Sequence, residues 1–178
     1  MRALLIIDMQ NDICRDLRRA HLVNEMLAPL KMLIEEFSAA RLPVFYAVFS
    51  LKEDDEQFVR FGDRYCIEGT EGAEIIPELR PLRGPVIRKT KHSAFFATEL
   101  HEKLIESGVS DLYLTGLQTQ ICIMTTAADA SFRGYRVFAV EDCVVSTREE
   151  NKRQALEWIA RYVGEVVSLE RALRDIRA

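Results

Sequence analysis

The sequence predicts an α/β protein, a three-layer doubly wound fold built on a six-stranded parallel sheet. Short apolar runs of strand length recur along the chain. Segments with apolar residues at helical spacing separate them, and Gly or Pro marks most junctions. Unbroken apolar runs, as opposed to alternating ones, are what strands covered on both faces require. Strict β/α alternation then implies right-handed crossovers with helices on both sides of the sheet.

Residues 3–7 form the first such run, and Leu22, Val23, Met26, Leu27, Leu30, Leu33, Ile34 and Phe37 then repeat at helical spacing. Pro43 breaks the chain before a second strand at 44–49, rich in β-branched and aromatic residues. Residues 51–82 are charged and punctuated by Gly and Pro, which predicts a long loop with one helical turn near 73–76, of the kind that often covers a site. A third strand is expected at 85–88. Thr98 can cap a helix carrying Leu100, Leu104 and Ile105, closed by Gly108.

The fourth strand, 112–115, runs into a tight turn and a helix reaching Phe132, with Gly134 as its stop. The fifth strand is 137–140. Thr147 and Glu150 form a capping-box pattern ahead of a helix with Leu156, Ile159, Ala160 and Val163, ended by Gly164. Residues 166–169 make the sixth strand, followed by a charged tail. No linker or repeat divides the chain, so residues 1–178 are expected to be one domain.

Bulk properties exclude several classes of function. A net charge of −4 gives no electrostatic footprint for nucleic acid or a membrane surface. No apolar run approaches the ~20 residues a membrane span needs. With no secretion signal and four cysteines that form no CxxC pair, reduced thiols in a cytoplasm are the expectation.

Sites in doubly wound folds lie beyond the carboxyl ends of strands, where strand order reverses. Asp8 follows the first strand, Lys89 the third, and Cys122 the fourth, in Gly116-Leu117-Gln118-Thr119-Gln120-Ile121-Cys122. Together they would supply a base, a cation and a nucleophile. Cys122 is expected in the first turn of a helix, where unpaired N–H groups favour the thiolate and lower a thiol pKa from its ordinary ~8.5. Cys14, Cys66 and Cys143, in loop or strand-end positions, are expected to be structural.

At these residues the chain resembles the isochorismatase-like cysteine hydrolases, a family that includes nicotinamidases, N-carbamoylsarcosine amidases and metal-free isochorismatases. The resemblance spans residues 3–169. It rests on Leu5-Ile6-Ile7-Asp8-Met9-Gln10-Asn11-Asp12, on residues 69–79, on Lys89-Thr90-Lys91-His92-Ser93-Ala94-Phe95, on residues 116–122, and on Arg133-Gly134-Tyr135-Arg136-Val137 with Val140-Glu141-Asp142. It implies the family's Rossmann-type topology and a catalytic triad of Asp8, Lys89 and Cys122. It also implies a cis peptide between Leu117 and Gln118 and an oxyanion hole from the backbone N–H groups of Gln118 and Cys122. The mechanism it implies has Asp8 take the thiol proton as Cys122 attacks an amide-type carbonyl, with the thioester then hydrolysed by the same route reversed.

Departures from the family pattern narrow this expectation. Members acting on nicotinamide hold a metal with an Asp-x-His pair after the second strand and a further histidine. The histidines here are His21, His92 and His101, and the matched positions carry Phe49, Leu51 and Tyr65. These side chains offer at most a phenol, so no metal and no other cofactor is expected. Ile13 replaces a frequent phenylalanine, His92 a usual tyrosine, and Gln118 a usual small residue. With Gln10, Phe49 and Tyr65 they are the candidate substrate pocket. The resulting expectation is a metal-independent hydrolase of a small amide, ureide or carbamoyl compound, working as a homodimer or homotetramer. Isochorismatase-type vinyl-ether hydrolysis, nicotinamide hydrolysis and a catalytically silent binding role are the alternatives.

Overall fold

The computed structural model describes residues 1–56 and 64–177. Six parallel strands run in the order β3-β2-β1-β4-β5-β6: β1 is Arg2–Ile7, β2 Val44–Phe49, β3 Val86–Lys89, β4 Asp111–Leu117, β5 Arg136–Val145 and β6 Glu165–Val167. The chain winds outward from β1 to β3, then returns to place β4 on the other side of β1. Strand order therefore reverses between β1 and β4, where a doubly wound sheet leaves a crevice beyond its carboxyl edge.

The period of two along each strand divides the core into two layers. Leu5, Ile7, Phe45, Ala47, Leu112 and Leu114 face one side. There α3 (Leu100–Glu106), α4 (Met124–Phe132) and α5 (Glu149–Tyr162) bring Leu104, Ala127 and Ile159 against them. Leu4, Ile6, Tyr46, Val48, Tyr113 and Phe138 face the other, against Val23, Met26, Leu30 and Phe37 of α2 (Ala20–Ala39) and Ala172 and Ile176 of α6 (Leu169–Arg177). A short turn of helix, α1 (Asn11–Cys14), follows β1.

Several local expectations need correction. The charged tail is the helix α6, because Leu169, Ala172, Leu173 and Ile176 make an apolar stripe that packs on the second layer while the charges face away. The capping box does not form. Arg148 is the N-cap residue of α5, and the Thr147 hydroxyl donates instead to Gln118 Oε1 at 3.2 Å. Thr98 accepts the Leu100 N–H at 3.3 Å, but Glu99 is the N-cap residue of α3. In the expected loop, helical turns fall at Glu71–Ala73 and Pro77–Leu79, on either side of the anticipated place, and residues 57–63 of that stretch lie outside the described residues. Cys14 lies in α1 and Cys143 inside β5. Both are buried thiols, as is Cys66.

Candidate functional site

Three strand tips build the floor of the site. Asp8, just past β1, sits in the left-handed region with φ 56°, and its N–H donates to Ala47 O at 2.8 Å. Aspartate tolerates this backbone better than β-branched residues do, and the turn takes its carboxylate off the strand line. Lys89 ends β3 in register with Phe49 of β2. Gly116 near the end of β4 has φ +107°, and a Cβ there would lie 2.0 Å from Ile7 O, so only glycine lets β4 close on β1 at this point.

Beyond β4 the peptide between Leu117 and Gln118 is cis. A single π-helical turn, Thr119–Ile123, then carries Cys122, and α4 begins only at Met124. The cysteine thus sits in a wide turn ahead of the regular helix, a placement common at functional sites.

The structure brings Asp8, Lys89 and Cys122 together. Lys89 Nζ lies 3.0 Å from Asp8 Oδ2 and 3.7 Å from Cys122 Sγ, and it donates to Lys91 O at 3.2 Å. Its ammonium also rests 3.3 Å from the centroid of the Phe49 ring, a cation–π contact inside the protein. Both charged side chains are removed from solvent, at 0% and 1% exposure. Burial raises the Asp8 pKa above the ordinary carboxylate value of 3.8, opposed by the Lys89 charge. It also raises the Cys122 thiol well above its ordinary value. Asp8 adds to that shift, while Lys89 and the Gln118 N–H, directed at the sulfur, oppose it.

This reverses the expectation of a lowered thiol pKa. Desolvation in the crevice outweighs the terminal N–H groups, so the resting sulfur keeps its proton beside a carboxylate with raised proton affinity. Such a pair suits transfer of the proton during attack.

A cavity of about 650 Å³ opens above Asp8 and Cys122, with the fully buried Lys89 behind them. Of the expected pocket residues, Ile13, Phe49, Tyr65, His92 and Gln118 line it. Gln10 does not. It is fully buried, with Nε2 donating to Phe49 O and Ala73 O at 2.7 Å each and Oε1 accepting Phe49 N–H at 2.8 Å. Its amide is consumed in tying the 71–73 turn to β2, where three backbone groups would otherwise be buried unpaired.

His92 places Nδ1 3.8 Å from Cys122 Sγ. Gln118 Oε1 accepts from Gln120 Nε2 and Thr147 Oγ1 at 3.1 and 3.2 Å, which holds the side-chain amide in one orientation. Sequence reasoning missed the rest of the wall. Asp16, Arg18 and Arg19 come from the turn after α1, where both guanidiniums pair with Asp16 at 2.6 and 2.7 Å; Arg148 and Asn151 come from the start of α5. The Asp-Leu-Arg-Arg run at 16–19 was a visible charge cluster, but nothing in sequence spacing turns it toward Cys122.

A metal does not fit the positions where the metal-binding branch of the resembled family would hold one. Leu51 is wholly buried and offers no donor. The face of Phe49 already carries the Lys89 ammonium, a cation that would repel another. Tyr65 contributes one phenol, whose pKa burial pushes up to about 12. Among the described residues no three His, Cys, Asp or Glu side chains cluster as ligands could.

Comparison with known proteins agrees with this architecture. Residues 2–171 match the family model described as the isochorismatase domain. The chain is 31% identical to an uncharacterized isochorismatase family protein, PncA, of Bacillus subtilis (strain 168), over 94% of this chain and 98% of that one. It is also 31% identical to nicotinamidase 3 of Arabidopsis thaliana, over 83% of this chain and 75% of that one. In three dimensions it superposes on N-carbamoylsarcosine amidase from Thermoplasma acidophilum with a TM-score of 0.84 and 32% identity, covering 95% and 96% of the two chains.

Proposed function

The chain belongs to the isochorismatase family of hydrolases, and on that premise we propose that it cleaves a small amide, ureide or carbamoyl C–N bond, without a metal, through a thioester on Cys122. One observation carries the proposal: a carboxylate, an ammonium and a thiol from three strand tips meet within 3.0 and 3.7 Å at the floor of a cavity sized for a small molecule.

Asp8 takes the thiol proton as Cys122 Sγ attacks the carbonyl carbon, and the C=O electron pair moves onto oxygen. The backbone N–H groups of Gln118 and Cys122 hold that oxyanion. Losing one such donor commonly costs ~2.7–4 kcal/mol of transition-state stabilisation. The carbonyl re-forms, the C–N bond breaks, and Asp8 gives its proton to the leaving nitrogen. Throughout, Lys89 balances whichever of Asp8 and Cys122 is anionic. Water then hydrolyses the thioester. The similarity to an N-carbamoylsarcosine amidase supports the carbamoyl class among the possible substrates.

The test is a screen of small amides and carbamoyl compounds, N-carbamoylsarcosine and nicotinamide among them, read by product release and by intact-protein mass spectrometry after acid quench. The expected result is an acyl adduct on Cys122, turnover unaffected by EDTA, and loss of both adduct and turnover in Cys122→Ala. Full hydrolysis of an identified substrate by Cys122→Ala would overturn the mechanism.

A further inference from the structure

The triad leaves one group beside the sulfur without a role. His92 reaches Cys122 from the cavity side, and its Nδ1 at 3.8 Å is as near to Sγ as Lys89 Nζ is at 3.7 Å. Its position is built, not incidental. Lys89 Nζ holds the carbonyl of Lys91, the residue before it. The Ser93 hydroxyl donates to Asp129 Oδ2 of α4, and the Ala94 N–H donates to Thr126 Oγ1 of the same helix at 3.0 Å. The ring packs edge-on to Phe49, with centroids 6.0 Å apart. Anchors on both sides and a ring wall below keep the imidazole aimed at the sulfur.

The groups that set its charge also favour a role in proton transfer. Lys89 and Lys91 flank it, the latter paired with Glu56 at 2.8 Å, while Cys122 faces it and Asp8 lies beyond the sulfur. Burial first, then the two lysine charges, lower the His92 pKa from its ordinary 6.5. The imidazole is therefore neutral at pH 7 and keeps a lone pair to accept a proton. Asp8 also borders the cavity, but its side chain is 1% exposed and paired with Lys89 at 3.0 Å, whereas His92 is half-buried on the cavity wall and offers more of its surface to an incoming water.

We propose that His92 is the base of the second half-reaction: it activates the water that releases the acyl group from Cys122. The inference rests on the thioester reading above and goes beyond it. A water oxygen attacks the thioester carbon as the imidazole nitrogen takes one of its protons. The tetrahedral intermediate collapses, the C–S bond breaks, and its electron pair stays on sulfur. The imidazolium then returns its proton to the thiolate across the 3.8 Å separation. The thiol and the neutral imidazole are restored, and the acid product leaves. Labour is thus divided, with Asp8 serving acylation and His92 deacylation.

The division is tested with p-nitrophenyl acetate, which acylates a thiol with visible release of nitrophenolate. The initial burst then counts acylated Cys122, and the steady rate reports deacylation. In His92→Phe, and again in His92→Gln, the burst should remain while the steady rate falls roughly 10²–10⁴-fold, the usual worth of a general base. Acetyl-enzyme should accumulate by intact mass. The wild-type steady rate should fall as pH drops through the imidazole's titration below 6.5, and that limb should vanish in both variants. A steady rate within roughly twofold of wild type, or an unchanged acid limb, would overturn the role of His92 alone. Loss of the burst together with the steady rate would make His92 a structural support of Cys122 and would also overturn it. No burst in the wild type, or a burst surviving Cys122→Ala, would sink the thioester reading and this one with it.

Discussion

Two carboxylate–cation pairs sit at opposite ends of the sheet. At the amino ends of β4 and β5, Asp111 meets the Arg136 guanidinium through two bonds, at 2.6 and 2.8 Å, with the arginine side chain 71% exposed. At the carboxyl ends of β1 and β3, Asp8 meets Lys89 through one contact at 3.0 Å, with neither side chain exposed. The first pair is bidentate, a solvent-exposed guanidinium laid over a carboxylate that is only 8% exposed, the geometry of a strap between strand ends. The second is point-like and dry. Among the described residues, the polar groups that interact with its carboxylate are the Lys89 ammonium and the Cys122 thiol. A sheet that needed only a strap would use the first design twice. Placing the second at the reversal of strand order leaves a carboxylate that is undersolvated and inclined to take a proton.

The contrast breaks most visibly in stability. Lys89→Met leaves Asp8 buried without its partner and should cost about 3–5 kcal/mol, read as a lower urea midpoint. The double variant Asp8→Asn/Lys89→Met removes both charges and should recover most of that loss, because desolvation offsets much of what the pair gains. Equal losses in the single and double variants would mean packing, not charge, is what Lys89 supplies.

A smaller effect sharpens the comparison through pH. In the proposed mechanism Asp8 accepts the thiol proton only in its carboxylate form, and burial raises its pKa, so protonation begins above the ordinary 3.8. The acylation burst rate should therefore fall by about tenfold per pH unit below a midpoint above that value. A midpoint at or below 3.8 would show Lys89 outweighing burial. Smallest of all, Arg136→Met should lower stability by about 1–2 kcal/mol, since the guanidinium is exposed and the buried Asp111 carboxylate it leaves behind still accepts the Ser110 hydroxyl at 3.0 Å. A loss comparable to that of Lys89→Met would erase the distinction between the two pairs.

Much of this arrangement was legible before the fold. The apolar runs at 3–7, 44–49 and 112–115 mark buried strands, and Asp8, Lys89 and Cys122 stand just past strand ends or at one. Readings that depended on neighbours distant in sequence went astray. Gln10 stands two residues from Asp8 and belongs by position to the crevice, yet Phe49 and Ala73, far along the chain, claim its amide. Thr147 and Glu150 have capping spacing, yet Gln118 takes the hydroxyl. The tail at 169–177 is charged on average, and its four apolar residues count only once α2 and the second core layer offer a surface for them.

By itself the sequence determined what repeats locally: the periodicities that make strands and helices, the glycine without which β4 could not approach β1, and the residue types available at strand ends. Only the tertiary structure decided the chemistry of those residues, because it sets how far each lies from water and from the others. Cys122 shows the reason most clearly. Its place ahead of a helix argued for an easily ionised thiol, while burial, together with Asp8, favours the protonated sulfur.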